Sequence, residues 1–365
     1  MKKVIILLAA VMFAVLGCCG SKKAAETAAF SDLLTIDELT IINVGDGRLL
    51  FRLQADATPI SGARRIVDGR QSEYTLAHFR NGMYNGNYER HSRNVLVEKG
   101  AFKDGVRHGV FYDYYSDGKI KSERPFTDGK LDGTVKTYFS DGSAESQKEY
   151  KNGVEDGIER RWEWRTGELT VDAFYVAGQP HGRQSRRISS NLGNYVEVNN
   201  YVNGVKSGEF SQTWTNGQPR ARGTYTNGVN NGVWVEYGID GIPERSVTYA
   251  NGERNGELTT FYANGAVETV TNYVNGQRQG VSKEFYHDTG NLKAEYNYSN
   301  NFRDGAYRTY FDDGVNVREE GRFEAGVEVY RKEYYRNGNT REIRERRSTG
   351  PWETIESFDE DGTQR

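Results

Sequence analysis

From residue 79 onward the chain reads as short runs rich in Tyr, Phe, Val and Thr, with charged residues among them, many of them closed by Asn-Gly or Asp-Gly. Val110 to Tyr115 (VFYDYY) is typical: six residues rich in aromatic and β-branched side chains. Each such run predicts a strand, in which successive side chains point to opposite faces. Runs of this length and composition suit a pleated surface far better than a helix. Asn-Gly and Asp-Gly supply the positive φ angles of tight hairpin turns at little strain. The elementary unit is therefore strand, tight turn, strand, wider turn, repeated as an antiparallel meander.

The turns are periodic. An aromatic followed by x-(Asn/Asp)-Gly occurs at Phe79, Phe102, Phe126, Tyr150, Tyr201, Tyr225, Tyr249 and Tyr273, with looser copies at Phe174, Tyr298 and Phe323. These anchors recur every 23 to 27 residues, mostly 24. A second glycine lies four residues after the first, as at Gly86, Gly109, Gly133 and Gly256, and a third closes the wider turn, as at Gly118, Gly142 and Gly265. Five residues after the second glycine stand Tyr114, Tyr138, Trp162, Tyr237, Phe261, Phe285 and Tyr310. Residues at one repeat position stack along a solenoid, so the two aromatic columns should form stripes, with Lys136, Arg160 and Lys283 alternating onto a wetter face. Residues 58–69 read as a degenerate first unit, Leu39 to Leu53 as a pair of cap strands, and Trp352 to Phe358 as a last strand. The expected fold is all-β, an elongated single-sheet antiparallel meander or β-solenoid of about twelve 24-residue repeats.

The pattern Tyr-x-Asn-Gly-x-x-x-Gly, with an aromatic and a further turn glycine behind it, resembles the MORN-repeat superfamily. It is most similar to the bacterial MORN-variant group, which includes lipoproteins and chains often labelled antitoxins. The resemblance covers residues 53–343. It implies a twisted β-meander used for interaction, scaffolding or membrane association, and it carries no catalytic residue.

Composition narrows the reading. With 42 glycines and 12% aromatic residues the chain is neither all-α nor disordered. Its formal charge of −3, from 48 basic and 51 acidic residues of mixed order, is no nucleic-acid footprint. The cysteines are adjacent, Cys18 and Cys19, so no disulfide framework holds the body. Ahead of them, Lys2 and Lys3 precede an apolar run, Val4 to Leu16, too short to span a bilayer. The junction Val15-Leu16-Gly17-Cys18 resembles a lipobox, although Leu16 is bulkier than usual there. The expected organisation is a lipoprotein signal peptide over 1–17, a flexible tether over 18–30, N-terminal cap strands over 31–52, the repeat array over 53–343 and a C-terminal cap over 344–365. The resemblance implies lipidation at Cys18 and, with Cys19 rather than Asp following it, an outer-membrane lipoprotein facing the periplasm or the surface.

Candidate chemistry is sparse. His108 and His181 occupy a turn slot held elsewhere by Asn85, Asp132 and Asn231, and His78, His91 and His287 lack metal-ligand spacing. Asp117, Asp128, Asp141 and Asp156 sit at turns without the dense carboxylates of a calcium loop. No phosphate-binding glycine loop occurs. We expect no catalytic, metal or cofactor residues, hence no enzyme. One unit departs from the rest: the step from Phe174 to Tyr201 is 27 residues, its wide turn (Ser189 to Asn194) is blurred, and Arg187 stands in the aromatic column. Arg161, Trp162, Trp164, Arg183, Arg186 and Arg187 surround it, and such residues are enriched at interface hot spots. They form the candidate partner-binding patch. The expected function is a non-enzymatic, lipid-anchored, monomeric scaffold that binds a protein or envelope polymer, touches the membrane only through its lipid and binds no nucleic acid. The alternative is an immunity or antitoxin-like inhibitor of an effector protein.

Overall fold

A computed structural model describes residue 30 and residues 32–69, 71–347 and 349–365. The signal segment, Cys18 and all of the tether but its last residue lie outside the described residues. Among those described, the structure consists of strands and one 3-10 turn, Ile36–Glu38, with no α-helix. The chain forms two compact units, one through Val154 and one from Glu155 to Arg365. In each, the strands form an open, mostly antiparallel sheet in which chain neighbours are sheet neighbours.

In the first unit Leu33–Thr35 pairs in parallel with Gly62–Val67, and everything after is a meander. Gly62 lies opposite Phe79 just as Gly86 lies opposite Phe102, so residues 58–69 do fold as a degenerate unit. Leu39–Asn43 and Leu49–Leu53 form a separate hairpin. It covers the start of the sheet: Phe51 meets the rings of Phe79 and Tyr84 at 5.2 and 4.9 Å. Leu39, Ile60, Ile66, Ala77, Tyr88 and Phe111 complete this core.

Three ladders join successive units. In the tight turns both central residues have positive φ, for example Asn81 at 50° and Gly82 at 82°, the geometry that twists with the strands. The N–H of the turn glycine donates to a carbonyl of the preceding unit, as in Gly105 to Tyr84, Gly129 to Arg107, Gly228 to Lys206 and Gly276 to Arg254, at 2.8 to 3.0 Å. The residue before the second glycine accepts the next turn's other N–H: Asn85 from Asp104, His181 from Asn203, Asp304 from Ala325. That is the work of the slot His181 shares. On the wider-turn side, Tyr115, Tyr262 and Tyr286 each donate a hydroxyl to the carbonyl of Tyr138, Phe285 and Tyr310 in the next unit, at 2.6 to 2.7 Å.

Two expectations need correcting. The irregular unit is anchored on Tyr175, not Phe174: Tyr175 lies opposite Gly157 as Tyr273 lies opposite Gly256, and the tight turn is Ala177-Gly178. Phe174 points to the other face and is exposed. The steps become 25 and 26, and the departure lies in the wide turn, where the pairing of Gly182–Ile188 with Tyr195–Val202 lacks the bulge of regular units. Second, Lys136 and Lys283 do not alternate away from the second aromatic column. They stand two residues before it and share its face: Lys136 and Tyr138 both reach Glu123, at 3.9 and 3.0 Å. Lys283 reaches Glu295 at 3.5 Å, and Arg160 reaches Asp172 at 3.2 Å.

Candidate functional site

Strand alternation gives each sheet two distinct faces. The anchor rings and the residue two after the second glycine share the ring face. There Phe111 meets Phe102 and Phe126 edge-on at 5.2 and 5.5 Å, and Phe210 stacks on Trp234 at 4.9 Å. A cation five residues after an anchor lies over the next unit's anchor ring. Arg107 covers Phe126, Lys206 covers Tyr225, Arg254 covers Tyr273, Arg278 covers Tyr298 and Arg303 covers Phe323, at 4.6 to 5.5 Å. The charged group itself lies over the ring face, a cation–π contact that also covers the ring.

Carboxylates buried on this face are held by guanidiniums. Glu98 meets Arg90, Arg107 and Arg124 at 3.6, 2.9 and 3.0 Å. Burial and the Glu98 charge push the neighbouring Tyr88 hydroxyl up to about 12. Near the end of the array Tyr307 is hydrogen-bonded to Glu319 at 2.5 Å and to Glu328, and Arg331 binds Glu328 at 2.7 Å. Burial and the two carboxylates raise the Tyr307 hydroxyl far above the usual phenol range.

The irregular unit changes this face. In the slot that holds Phe111, Phe210 and Trp234 elsewhere it holds Glu159 and Gln184, and Asn199 lies opposite Gln184; all three are buried. Gln184 Nε2 donates to the carbonyls of Phe174 and His181, and Asn199 Nδ2 donates to Glu197. Arg161 binds Glu159 at 2.7 Å, and Arg186 donates to the Tyr175 hydroxyl at 2.9 Å with Glu159 3.8 Å away. The sequence did not single out this polar replacement, because which residues share the face of the anchor rings follows only from the strand pairing.

The six candidate residues therefore do not form one patch. Arg161 and Arg186 lie on the ring face around Glu159. Arg183 and Arg187 project from the opposite face of Gly182–Ile188. Arg187 is tied to Glu163 and Glu168 beside the wider turn. Trp162 is half-buried opposite Leu169, and Trp164 is exposed in the turn with Arg165 over its ring at 4.3 Å. Only Arg183 opens onto a substantial depression. It borders a groove of about 730 Å³ lined chiefly by Val198, Asn200, Glu209, Ser211, Arg222, Thr224, Val233 and Val235. Val233, 55% exposed, gives it an apolar wall. This groove is the candidate binding site.

The acidic turn residues serve the backbone: Asp117 and Asp141 each accept the N–H two residues on. Those bonds hold Asp117 below the usual carboxylate range. Among the described residues no group of three or more His, Cys, Asp or Glu is placed to hold a metal.

The chain carries repeats of the MORN repeat variant family, whose model matches residues 107–128, 131–152, 254–275 and 280–300. No curated protein matches it. Among solved structures it is similar to an S. aureus TarM mutant in complex with fondaparinux, α-GlcNAc-glycerol and UDP. Identity there is 13%, over 44% of this chain and 23% of that one, with a TM-score of 0.11. It is also similar to TcdB2-TccC3-TEV, at 13% identity over 81% of this chain and 18% of that one, with a TM-score of 0.15. The chain spans less than a quarter of the length of these solved chains. Scores this low carry no argument about fold or function.

Proposed function

From the MORN-variant repeats and the groove beside Arg183, we infer a non-enzymatic scaffold, anchored by lipid at Cys18, that binds a protein or polymer of the cell envelope. MORN repeats point to a repeat protein of the binding or interaction kind. The observation that carries the rest is the groove itself. It is open, mixed in polarity, and it follows the one unit whose wide turn departs from the repeat. Arg183, Arg222 and Glu209 offer charged contacts around the apolar wall of Val198 and Val233, a composition suited to a partner surface.

The experiment is capture from solubilised envelopes by the full chain, compared with Arg183→Ala/Val233→Asp. The variant should lose at least tenfold in captured partner, about 1.4 kcal/mol, with an unchanged circular dichroism spectrum. Undiminished capture by the variant removes the groove from the account. Metabolic labelling with a fatty-acid analogue should mark the wild type and not Cys18→Ser. A wild type that stays unlabelled and is released into the medium refutes the anchor. Recovery of a single effector protein, whose activity the chain blocks, would favour the inhibitor alternative over an envelope scaffold.

A further inference from the structure

The ring face of the second unit carries a strip that none of the internal ion pairs uses. Along the tight-turn side it alternates ring and polar group: Tyr201, Lys206, Tyr225, Asn230, Tyr249, Arg254, Tyr273, Arg278, Tyr298, Arg303, Phe323. The guanidiniums of Arg254 and Arg278 lie 5.5 and 4.6 Å over the rings of Tyr273 and Tyr298, and that of Arg303 lies 3.6 Å over Tyr296 with the Phe323 ring at 5.5 Å. All three are half-buried. Their polar contacts are uncharged: Arg278 donates to the Asn301 carbonyl, Arg303 to the Tyr298 hydroxyl. Among the described residues none has a carboxylate within ion-pair distance. Arg161 and Arg331 on the ring face of this unit, and Arg90, Arg107 and Arg124 on that of the first, all have one. Three consecutive cations without anions, each pinned on a ring, are an ordered row of donors. The hydroxyls of Tyr225, Tyr249 and Tyr273 likewise make no hydrogen bond among the described residues.

We propose that this strip is a docking track for an acidic peptide segment in polyproline II conformation with a carboxylate at every third residue. The proposal rests on the reading of the chain as a binding protein and names a partner class for it. Spacing decides the conformation. Equivalent residues of successive repeats are two strands apart, about 9.6 Å. Polyproline II rises 3.1 Å per residue with three residues per turn, so one of its faces recurs every ~9.3 Å. The mismatch over three arginines is about 0.6 Å, within the reach of a guanidinium. An extended β-strand presents one face every ~6.6 Å and falls out of step at the second arginine. An α-helix returns to one face after seven residues, about 10.5 Å, and drifts about three times as fast. Polyproline II also leaves its carbonyls without internal partners, so they can accept from the tyrosine hydroxyls, and aromatic ridges are a known seat for such segments. The row is bounded: Asn230 interrupts it on one side and Glu328, held by Arg331, closes it on the other. Three carboxylates are therefore the natural complement.

The test is fluorescence anisotropy of the full chain with labelled peptides containing three Glu-Pro-Pro triplets. The comparison peptides carry Gln in place of Glu, or the same three Glu at every second position. The triplet peptide should bind at least tenfold tighter than both. Arg278→Gln should weaken it at least tenfold, Arg278→Lys less, and Lys293→Gln, which removes an equal charge elsewhere, should not. Equal binding of both Glu spacings would mean general charge attraction and overturn the proposal. So would an unaffected Arg278→Gln. Competition by phosphatidylserine vesicles that depends on Arg278 would assign the strip to a lipid surface instead, which also refutes it. Should the arginine variants fail to fold, the spacing series on the wild type still decides. Envelope capture that survives Arg254→Gln/Arg278→Gln/Arg303→Gln, in a chain of unchanged spectrum, sinks the strip and leaves the groove reading standing.

Discussion

Gly223→Ala should be far more harmful than its backbone suggests. Gly223 is outside the left-handed region, and alanine at such a position normally gains about 0.4–1 kcal/mol by restricting the unfolded chain. Here an added Cβ would sit 2.2 Å from Cδ2 of Trp234. The indole has nowhere convenient to go. Its Nε1 donates to the Thr224 carbonyl at 3.1 Å, and its ring is stacked on Phe210 and edged by Tyr225. Overpacking costs about 1–3 kcal/mol, and loss of the indole hydrogen bond adds about 1 kcal/mol. The net expectation is a loss of about 2 kcal/mol. In the Trp234→Ala background the clash is gone, so the same substitution should become neutral or slightly stabilising, a coupling of roughly 2–3 kcal/mol. A repeat array opens locally rather than all at once, so the assay is hydrogen exchange of Pro219–Thr226 read in all four chains of the cycle. Gly118→Ala is the control: its φ of +85° makes alanine strained, yet nothing lies within 4 Å of an added Cβ. It should cost about 1–2 kcal/mol whether or not Trp234 is present. If Gly223→Ala costs the same with and without the indole, steric contact with the ring is not why glycine stands there.

Other outcomes follow from the same geometry. Tyr262→Phe removes the 2.7 Å bond to the Phe285 carbonyl and should cost about 1 kcal/mol, with faster exchange confined to Val267–Val274 and Gln277–Phe285. Glu89 is held at about 2, first by its hydrogen bond to His91 and also by Lys99, against the opposing effect of burial. A carboxylate depressed in the folded state adds stability that is complete above its ordinary pKa of 4.5 and is lost as the pH falls toward 2. Exchange in Met83–Ser92 should therefore quicken between those values, and Glu89→Gln should flatten the dependence.

The meander was legible because its determinants are local. Asn-Gly at 81–82 specifies a turn whatever else the chain does, and the aromatic and β-branched run Val110 to Tyr115 between two turns specifies a strand. Even the degenerate unit ending at Phe79 could be read from Gly62 and Gly69. What was not legible depends on neighbours two strands away. Phe174 and Tyr175 are equally good aromatics, and only pairing with Gly157 chooses between them. The separation of the six candidate residues has the same cause. Six Arg and Trp residues near one another in sequence are divided by alternation between two faces, and Arg187 is drawn to Glu163 and Glu168. Gly100, Gly223 and Gly321 look like weak points of their strands, yet each leaves room for a ring, at Phe111, Trp234 and Tyr307. No local pattern announces that.

Domains ordinarily bury a sheet's apolar face against a second layer. Among the described residues the hairpin over the start is the second layer seen, and the composition of the ring face shows how the rest manages. A leucine-rich ring face would remain in contact with water, whereas a guanidinium or ammonium laid over an aromatic ring covers apolar area and presents polar donors in its place. Because the covering residue comes from the preceding unit, as Arg107 does for Phe126 and Arg278 for Tyr298, a unit so covered lacks its cover until its neighbour has folded. Coupling between adjacent units is thus built into the ring face as well as into the backbone ladders. It also explains why arginine outnumbers lysine in this column. A planar guanidinium stacks on a ring and still directs its donors outward, which a compact ammonium cannot do. Replacing one covering arginine by lysine should then disturb the following unit more than its own. With Arg254→Lys, exchange should quicken around Tyr273 while the strand Glu253–Phe261 keeps its protection. The opposite order would mean that the cation supports its own strand and that the coupling runs through the backbone alone.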